Sequence, residues 1–348
     1  MKKASAYSIS LLAALLVGCS GQPPSLSWEY VETGIQASLR GLSVVDSQSV
    51  WISGSGGGVA HTQDGGSSWS VKTVPGADAL DFRDVEAFPD GTAFIMSAGS
   101  GALSRIYKTV DSGKSWALQH INPLEAGFFN GMAFWNQQHG VVVGDPVDGG
   151  LFLLATSDGG ETWRRLSGPQ IPRVMEGEFG FAASGTNIAT FGEEGLAVVS
   201  GGPVARVFRS TDRGESWEVS STPMTSGNAS SGIFSIAFRD PTSAMAVGGD
   251  YQSPDLVAGT IAGSTDGGLT WALAPEPHGI GFRSCVAWRN DPLEPMWVAV
   301  GTPGSSFSLD GGLGWVTFGS GPFNAVAFSG SSGWAAGPDG SVARLRVK

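Results

Sequence analysis

Apolar residues along this chain come in runs of four to eight positions, alternating with polar ones or bounded by Gly, Asp and Ser, which is the pattern of short strands and tight turns. One unit reads as an inner strand "LRGLSVV", a second strand "SVWISG", a third "GGVAHT", a turn "QDGG" and an outer strand "SSWSVKTV". A four-stranded meander follows from that order. The unit then recurs: "TQDGGSSW", "TVDSGKSW", "TSDGGETW", "STDRGESW", "STDGGLTW" and "SLDGGLGW" place aspartates at Asp64, Asp111, Asp158, Asp212, Asp266 and Asp310. Their separations of 47, 47, 54, 54 and 44 residues suit one propeller blade per repeat.

The ends of the chain raise the blade count from six to seven. "FNAVAFSGSSGWAAGPDGSVARLRV" supplies three strands and stops before an outer one, while "LSWEYVET" near the N-terminus has the look of an outer strand. The expected fold is therefore all-β: a seven-bladed propeller of four-stranded antiparallel blades, closed by the N-terminal strand as the last strand of blade seven. Closure of this kind removes exposed sheet edges. Within each repeated turn the aspartate accepts backbone hydrogen bonds, the following glycine supplies a positive φ, and the tryptophan packs against a neighbouring sheet. Six copies of one turn point to structure, because catalysis requires a single constellation.

Composition adds the compartment. Lys2 and Lys3 precede an apolar run from Ile9 to Val17 and then Leu16-Val17-Gly18-Cys19, the arrangement of a secretory leader. The expected organisation is a signal peptide over 1–18, a lipidated Cys19 with a tether over 19–25, and one propeller over 26–348. Ser20 after the cysteine points to the outer membrane of a bacterial envelope, facing the periplasm. A net charge of −11, with 31 acidic against 20 basic residues, excludes nucleic acid as the expected partner. Cys285 is then the remaining thiol, in the strand "SCVAW", where a small core residue is expected. His61, His120, His139 and His278 lack metal-ligand spacing, and no motif calls for a cofactor or a metal.

The repeated words resemble aspartate-box, or bacterial neuraminidase, repeats. "LRGLSVVDSQSVWISGSGG" followed by "TQDGGSSW" is similar to the photosystem II stability and assembly factor family of seven-bladed propellers. The resemblance spans essentially the whole mature chain, and it implies an arginine-rich patch. It also implies that the aspartate turns lie on the face opposite the usual ligand site.

Candidate function therefore gathers at the mouth of the central channel, where inner strands start and second strands end. Aligning the inner strands on their apolar residues brings together Arg40, Arg83, Asn130, Phe179, Phe234, Arg283 and Asn324. Three guanidinium groups at one mouth suit a carboxylate, a phosphate or an acidic peptide; alternatively, each pairs with a nearby acid such as Asp81, Asp84 or Glu86. Loops after the second strands add Asp145 and Asp148, Glu193 and Glu194, Asp250 with Tyr251, and Asp339. Two expectations follow. One is a lipid-anchored, non-catalytic assembly or interaction scaffold that receives an acidic segment of a membrane-protein partner. The other is a glycan-active enzyme, sialidase-like or otherwise, or a lectin, with Asp145 and Asp250 as the carboxylate pair and Tyr251 as the one plausible tyrosine nucleophile.

Overall fold

The computed structural model describes residues 24–275 and 279–348. The leader over 1–18, Cys19 and His278 lie outside the described residues.

Seven antiparallel sheets follow one another along the chain. Blade 1 consists of Leu39–Val44, Val50–Gly54, Val59–Thr62 and Ser70–Lys72. Blades 2 to 6 repeat this order, with inner strands at Asp81–Ala87, Phe129–Asn136, Ile188–Phe191, Asn228–Asp240 and Cys285–Arg289, and in blade 5 the short strand Gly201–Gly202 pairs beyond Asn228–Asp240 as a fifth. Blade 7 takes Ala325–Ser329, Ser332–Ala336 and Val342–Val347, and its outermost strand is Leu26–Val31 from the other end of the chain. The closing pair runs in register from Leu26 opposite Val347 to Val31 opposite Val342. The N-terminal strand thus occupies the position its pattern predicts.

The core is divided into slabs between blades. Leu39, Ile52 and Ala60 of blade 1 pack on Trp334, Ala336 and Val342 of blade 7, and Trp51, Phe82 and Tyr107 join blades 1 and 2. Comparable clusters lie between blades 2 and 3, 3 and 4, 4 and 5, 5 and 6, and 6 and 7. Strands buried on both faces explain why the second strands read as nearly continuous apolar runs. Cys285 sits in the slab joining blades 6 and 7, fully buried.

The repeated turns link the third and fourth strands by a common set of bonds. In blade 1, Asp64 Oδ1 accepts from Thr62 Oγ1 at 2.8 Å and from Ser68 N at 2.8 Å, and Ser68 Oγ donates to Oδ2 at 2.6 Å. Asp111, Asp158, Asp212 and Asp266 hold the same arrangement. At Asp310, Gly314 replaces the hydroxyl residue and only its N–H donates. These bonds favour the ionised carboxylate and hold Asp111, Asp158 and Asp266 at about 2. The adjacent tryptophans reach the preceding blade: Trp69 meets Trp334 edge-on with centroids 5.8 Å apart, and Trp116 meets Trp51 at 6.1 Å. Such burial stabilises by roughly 2 to 3 kcal/mol per tryptophan.

Candidate functional site at the channel mouth

A β-bulge at the start of the inner strand creates the mouth. In blade 1, Leu39 pairs with Gly54 and Gly41 with Ser53, leaving Arg40 as the extra residue. Arg83, Asn130 and Phe234 are the extra residues of equivalent bulges in blades 2, 3 and 5. A bulge re-aims one side chain without disturbing the rest of the ladder. Here it turns the bulged residue out of the sheet.

Strand register corrects two of the expected positions. Gly41, Asp84, Gly131, Ile188, Ser235, Cys285 and Ala325 each pair with an equivalent residue of the second strand. The residues preceding them are Arg40, Arg83, Asn130, Asn187, Phe234, Ser284 and Asn324. Ser284, rather than Arg283, holds the ring position in blade 6, and Asn187, rather than Phe179, holds it in blade 4. A slip of one residue reverses the facing of a side chain. Arg283 accordingly lies 2% exposed, donating through Nη1 to Phe282 O and through Nη2 to Ser306 Oγ, both at 2.9 Å. Burial pulls its pKa down to about 10.

Blade 4 departs from expectation because "FGFAAS" is not its inner strand. Residues 181–186 instead cross the channel axis. Arg40 Nη1 of blade 1 donates to Ala183 O at 3.0 Å, and Arg83 Nη1 of blade 2 donates to Ala182 O at 3.1 Å. Ser184 Oγ donates to Ser284 O of blade 6 at 3.0 Å, while Thr186 Oγ1 bonds Ser235 Oγ of blade 5 at 2.7 Å. A segment that reaches blades 1, 2, 5 and 6 together must span the centre of the ring. It forms a plug.

Above the plug lies a cavity of about 360 Å³ lined by Arg40, Arg83, Asn324, Ser284, Thr302 and Tyr251, with Phe181, Phe234 and Phe282 as an aromatic wall. Phe181 and Phe234 stack at 3.8 Å, and Phe282 meets Phe234 edge-on at 4.8 Å. Arg83 Nε forms an ion pair with Asp81 at 2.8 Å. Arg40 has no ion pair among the described residues; burial and the Arg83 charge lower its pKa, against a smaller opposing pull from Asp81. A guanidinium stays protonated regardless. The cavity therefore holds a cation to which none of the described residues supplies a counter-charge by contact.

Other expected residues go elsewhere. Asn130, 1% exposed, donates to Asp145 Oδ1 at 2.9 Å, and burial raises the Asp145 pKa. Asp250 is the half-buried last residue of the strand Ser243–Asp250, its pKa lowered by hydrogen bonds from Ser230, Gln252 and Asn228. Neither carboxylate lines the cavity, although Tyr251 does. Glu193 and Glu194 lie in the turn between the first and second strands of blade 4, on the aspartate-turn face with Arg213. Asp148 and Asp339 keep to the loops after second strands. Asn324 Nδ2 donates to Leu39 O at 2.8 Å, tying blade 7 to blade 1 beside Arg40.

Below the arginines lie the buried Asp84 and, two residues on, the half-buried Glu86. Asp84 accepts from Met132 N at 2.7 Å through Oδ2 and from Val85 N at 2.8 Å through Oδ1, yet burial holds its pKa at about 7. Burial and the neighbouring Asp84 push Glu86 well above the usual carboxylate range. The folded state thus binds a proton that an unfolded aspartate releases near pH 4, so this contribution is complete below pH 4 and lost as pH rises through about 7. We expect wild-type melting temperature to fall between pH 5 and pH 8, and Asp84→Asn to flatten that slope. The variant should be less stable at pH 5, because one amide oxygen replaces two acceptors at about 1 kcal/mol, and should regain or exceed parity at pH 8. Thermal melts across that range check the crossing; parallel slopes would contradict it.

No known protein-family profile matches the chain. The photosystem II assembly protein Ycf48 of Thermosynechococcus vestitus is 23% identical over 309 residues, covering 75% of this chain and 81% of that protein. This chain is a relative of Ycf48. A solved structure described as YCF48 bound to D1 peptide superposes with a TM-score of 0.66 at 19% identity, covering 92% of this chain and 98% of that one. YCF48 from Cyanidioschyzon merolae gives a TM-score of 0.67 at 16% identity, with the same coverage. The Ycf48-like architecture extends across all seven blades.

Proposed function

We propose that this protein is a binding scaffold whose channel mouth receives an acidic or carboxylate-bearing segment of a membrane or envelope protein during assembly of a complex. The observation that carries the reading is Arg40, a half-buried cation with no ion pair among the described residues, beside Arg83 and an aromatic wall in one cavity. Guanidinium donors bind planar anions in forked geometry, and the phenylalanines offer an apolar seat for a neighbouring side chain. The YCF48 structure with a D1 peptide supports a peptide segment as the ligand class.

Lipid anchoring through Cys19 belongs to the same proposal. Its support is the Lys2-Lys3 start, the apolar run and the Leu16-Val17-Gly18-Cys19 sequence, and acyl chains contribute about 0.8 kcal/mol per buried methylene. The protein would then work at a membrane surface, in the periplasm of a bacterial envelope. Affinity capture of the intact chain from detergent-solubilised membranes, with wild type and the Arg40→Ala/Arg83→Ala variant compared by mass spectrometry, tests the reading. A membrane complex present only with wild type is expected; identical captures with both forms would overturn it.

A further inference from the structure

Resting on that reading, the structure assigns a specific task to the plug: residues 181–186 form the floor of the site and hold the Arg40 and Arg83 guanidiniums with their remaining donors turned to the mouth. Each arginine gives one Nη1 bond to a plug carbonyl, at Ala183 and Ala182 respectively. Those bonds leave most of the N–H donors of Arg40 uncommitted, since a guanidinium has five. The bonds also fix two long side chains that would otherwise repel each other and scatter among rotamers. Ligand binding then costs less ordering entropy.

The plug is itself rigidly placed. Ser184 is anchored on Ser284 O, Thr186 on Ser235 Oγ, and Ile236 N donates to Thr186 O at 2.9 Å. Phe181 and Ala183 pack with Phe234 and Phe282. Gly185 makes the close approach possible: its φ is +75°, and a Cβ there would stand 2.4 Å from the Asp84 carboxyl. Only glycine meets both conditions without strain. The plug therefore acts as a positioning element, through the arginines rather than by contact chemistry of its own.

The test uses Gly185→Val in the intact chain, with two readouts. The first is affinity for a fluorescein-labelled peptide of alternating glutamate and phenylalanine, followed by anisotropy; a loss of about tenfold, equivalent to about 1.4 kcal/mol, is expected. The second needs no ligand: the rate at which phenylglyoxal modifies Arg40, mapped by peptide mass spectrometry, should rise once the Ala183 carbonyl shifts away. If Gly185→Val does not fold, Ser184→Ala removes the anchor on Ser284 without adding bulk and should move both readouts in the same directions. Unchanged Arg40 reactivity, or a peptide affinity that is unchanged or increased, would overturn the assignment; an increase would mean that the plug competes with the ligand. Peptide binding that is absent from wild type, or insensitive to Arg40→Ala/Arg83→Ala, defeats the binding proposal instead, and the modification rate then decides the role of the plug alone.

Discussion

Replacing Arg40 and Arg83 together by alanine is expected to weaken binding of an acidic peptide by a factor of about 10² to 10⁴. Each charge-assisted hydrogen bond contributes roughly 1.5 to 3 kcal/mol, and two guanidiniums face the cavity. Fold stability should change far less. The replaced bonds are one each to the carbonyls of Ala183 and Ala182 and the part-exposed Arg83–Asp81 ion pair, and losing them lowers the melting temperature by only about 1 to 2 °C per kcal/mol in a chain of this size. Arg40→Lys with Arg83→Lys should recover part of the affinity, since charge returns but the planar fork does not. Wild-type binding should also weaken with salt, less steeply than at an open surface because the arginines are partly buried. Titration calorimetry at two ionic strengths reads all of this; equal dissociation constants for wild type and the double alanine variant would refute the site.

Truncation that removes residues through Val31 is expected to cost the fold more than any single core substitution. Leu26–Val31 supplies the outer ladder of blade 7, paired along its whole length with Val342–Val347. Leu26 is buried, and Trp28 packs at 5.5 Å from Phe318 and 5.2 Å from Phe323 while its Nε1 donates to Ser305 Oγ at 2.9 Å. Losing the burial of those two apolar side chains alone costs up to about 3 to 6 kcal/mol, a large part of the roughly 5 to 15 kcal/mol that holds a typical domain. It also leaves Val342–Val347 as a free edge, a template for intermolecular pairing. A lowered urea midpoint together with higher-order species on size exclusion is the expected outcome. Trp28→Ala should reproduce the loss in part, about 2 kcal/mol for a half-buried tryptophan, and an unshifted midpoint in the truncated chain would show that closure is not what holds the ring.

The sequence was readable wherever physics is local. The turn around Asp64 needs only Thr62, two glycines and Ser68, all within a few residues, so each copy announces a third-to-fourth strand connection. Counting those copies, and noticing that Trp28 sits in an unpaired outer strand while the last unit lacks one, leads to seven blades and the closure. Arg40 and Arg83 were legible for the same reason, because both precede apolar strands whose alternation is clear. Arg283 was not. Its inner strand "CVAWR" is short, and sequence spacing alone cannot say which residue bulges; pairing of Cys285 with Val300 decides that.

The plug left no distinct trace in the chain: the gap from Asp158 to Asp212 is 54 residues where the two before it are 47, but the gap from Asp212 to Asp266 is 54 as well. That excess tells of inserted residues and not of their destination. "FGFAAS" has the apolar content of a strand, but the real inner strand is Ile188–Phe191, a few residues later.

By itself, then, the sequence determined the blade unit, the number of blades, the closing strand and the side of the ring on which arginines gather, since these depend on hydrogen bonds and alternation within one repeat. Tertiary structure alone decided that Asn130 and Asp145 satisfy each other, that Arg283 turns into the protein, and that residues 181–186 cross the channel to meet Arg40 and Arg83. Each of those outcomes rests on groups brought together by ring closure from blades far apart in the chain, where register and burial, rather than local propensity, set the lowest free energy.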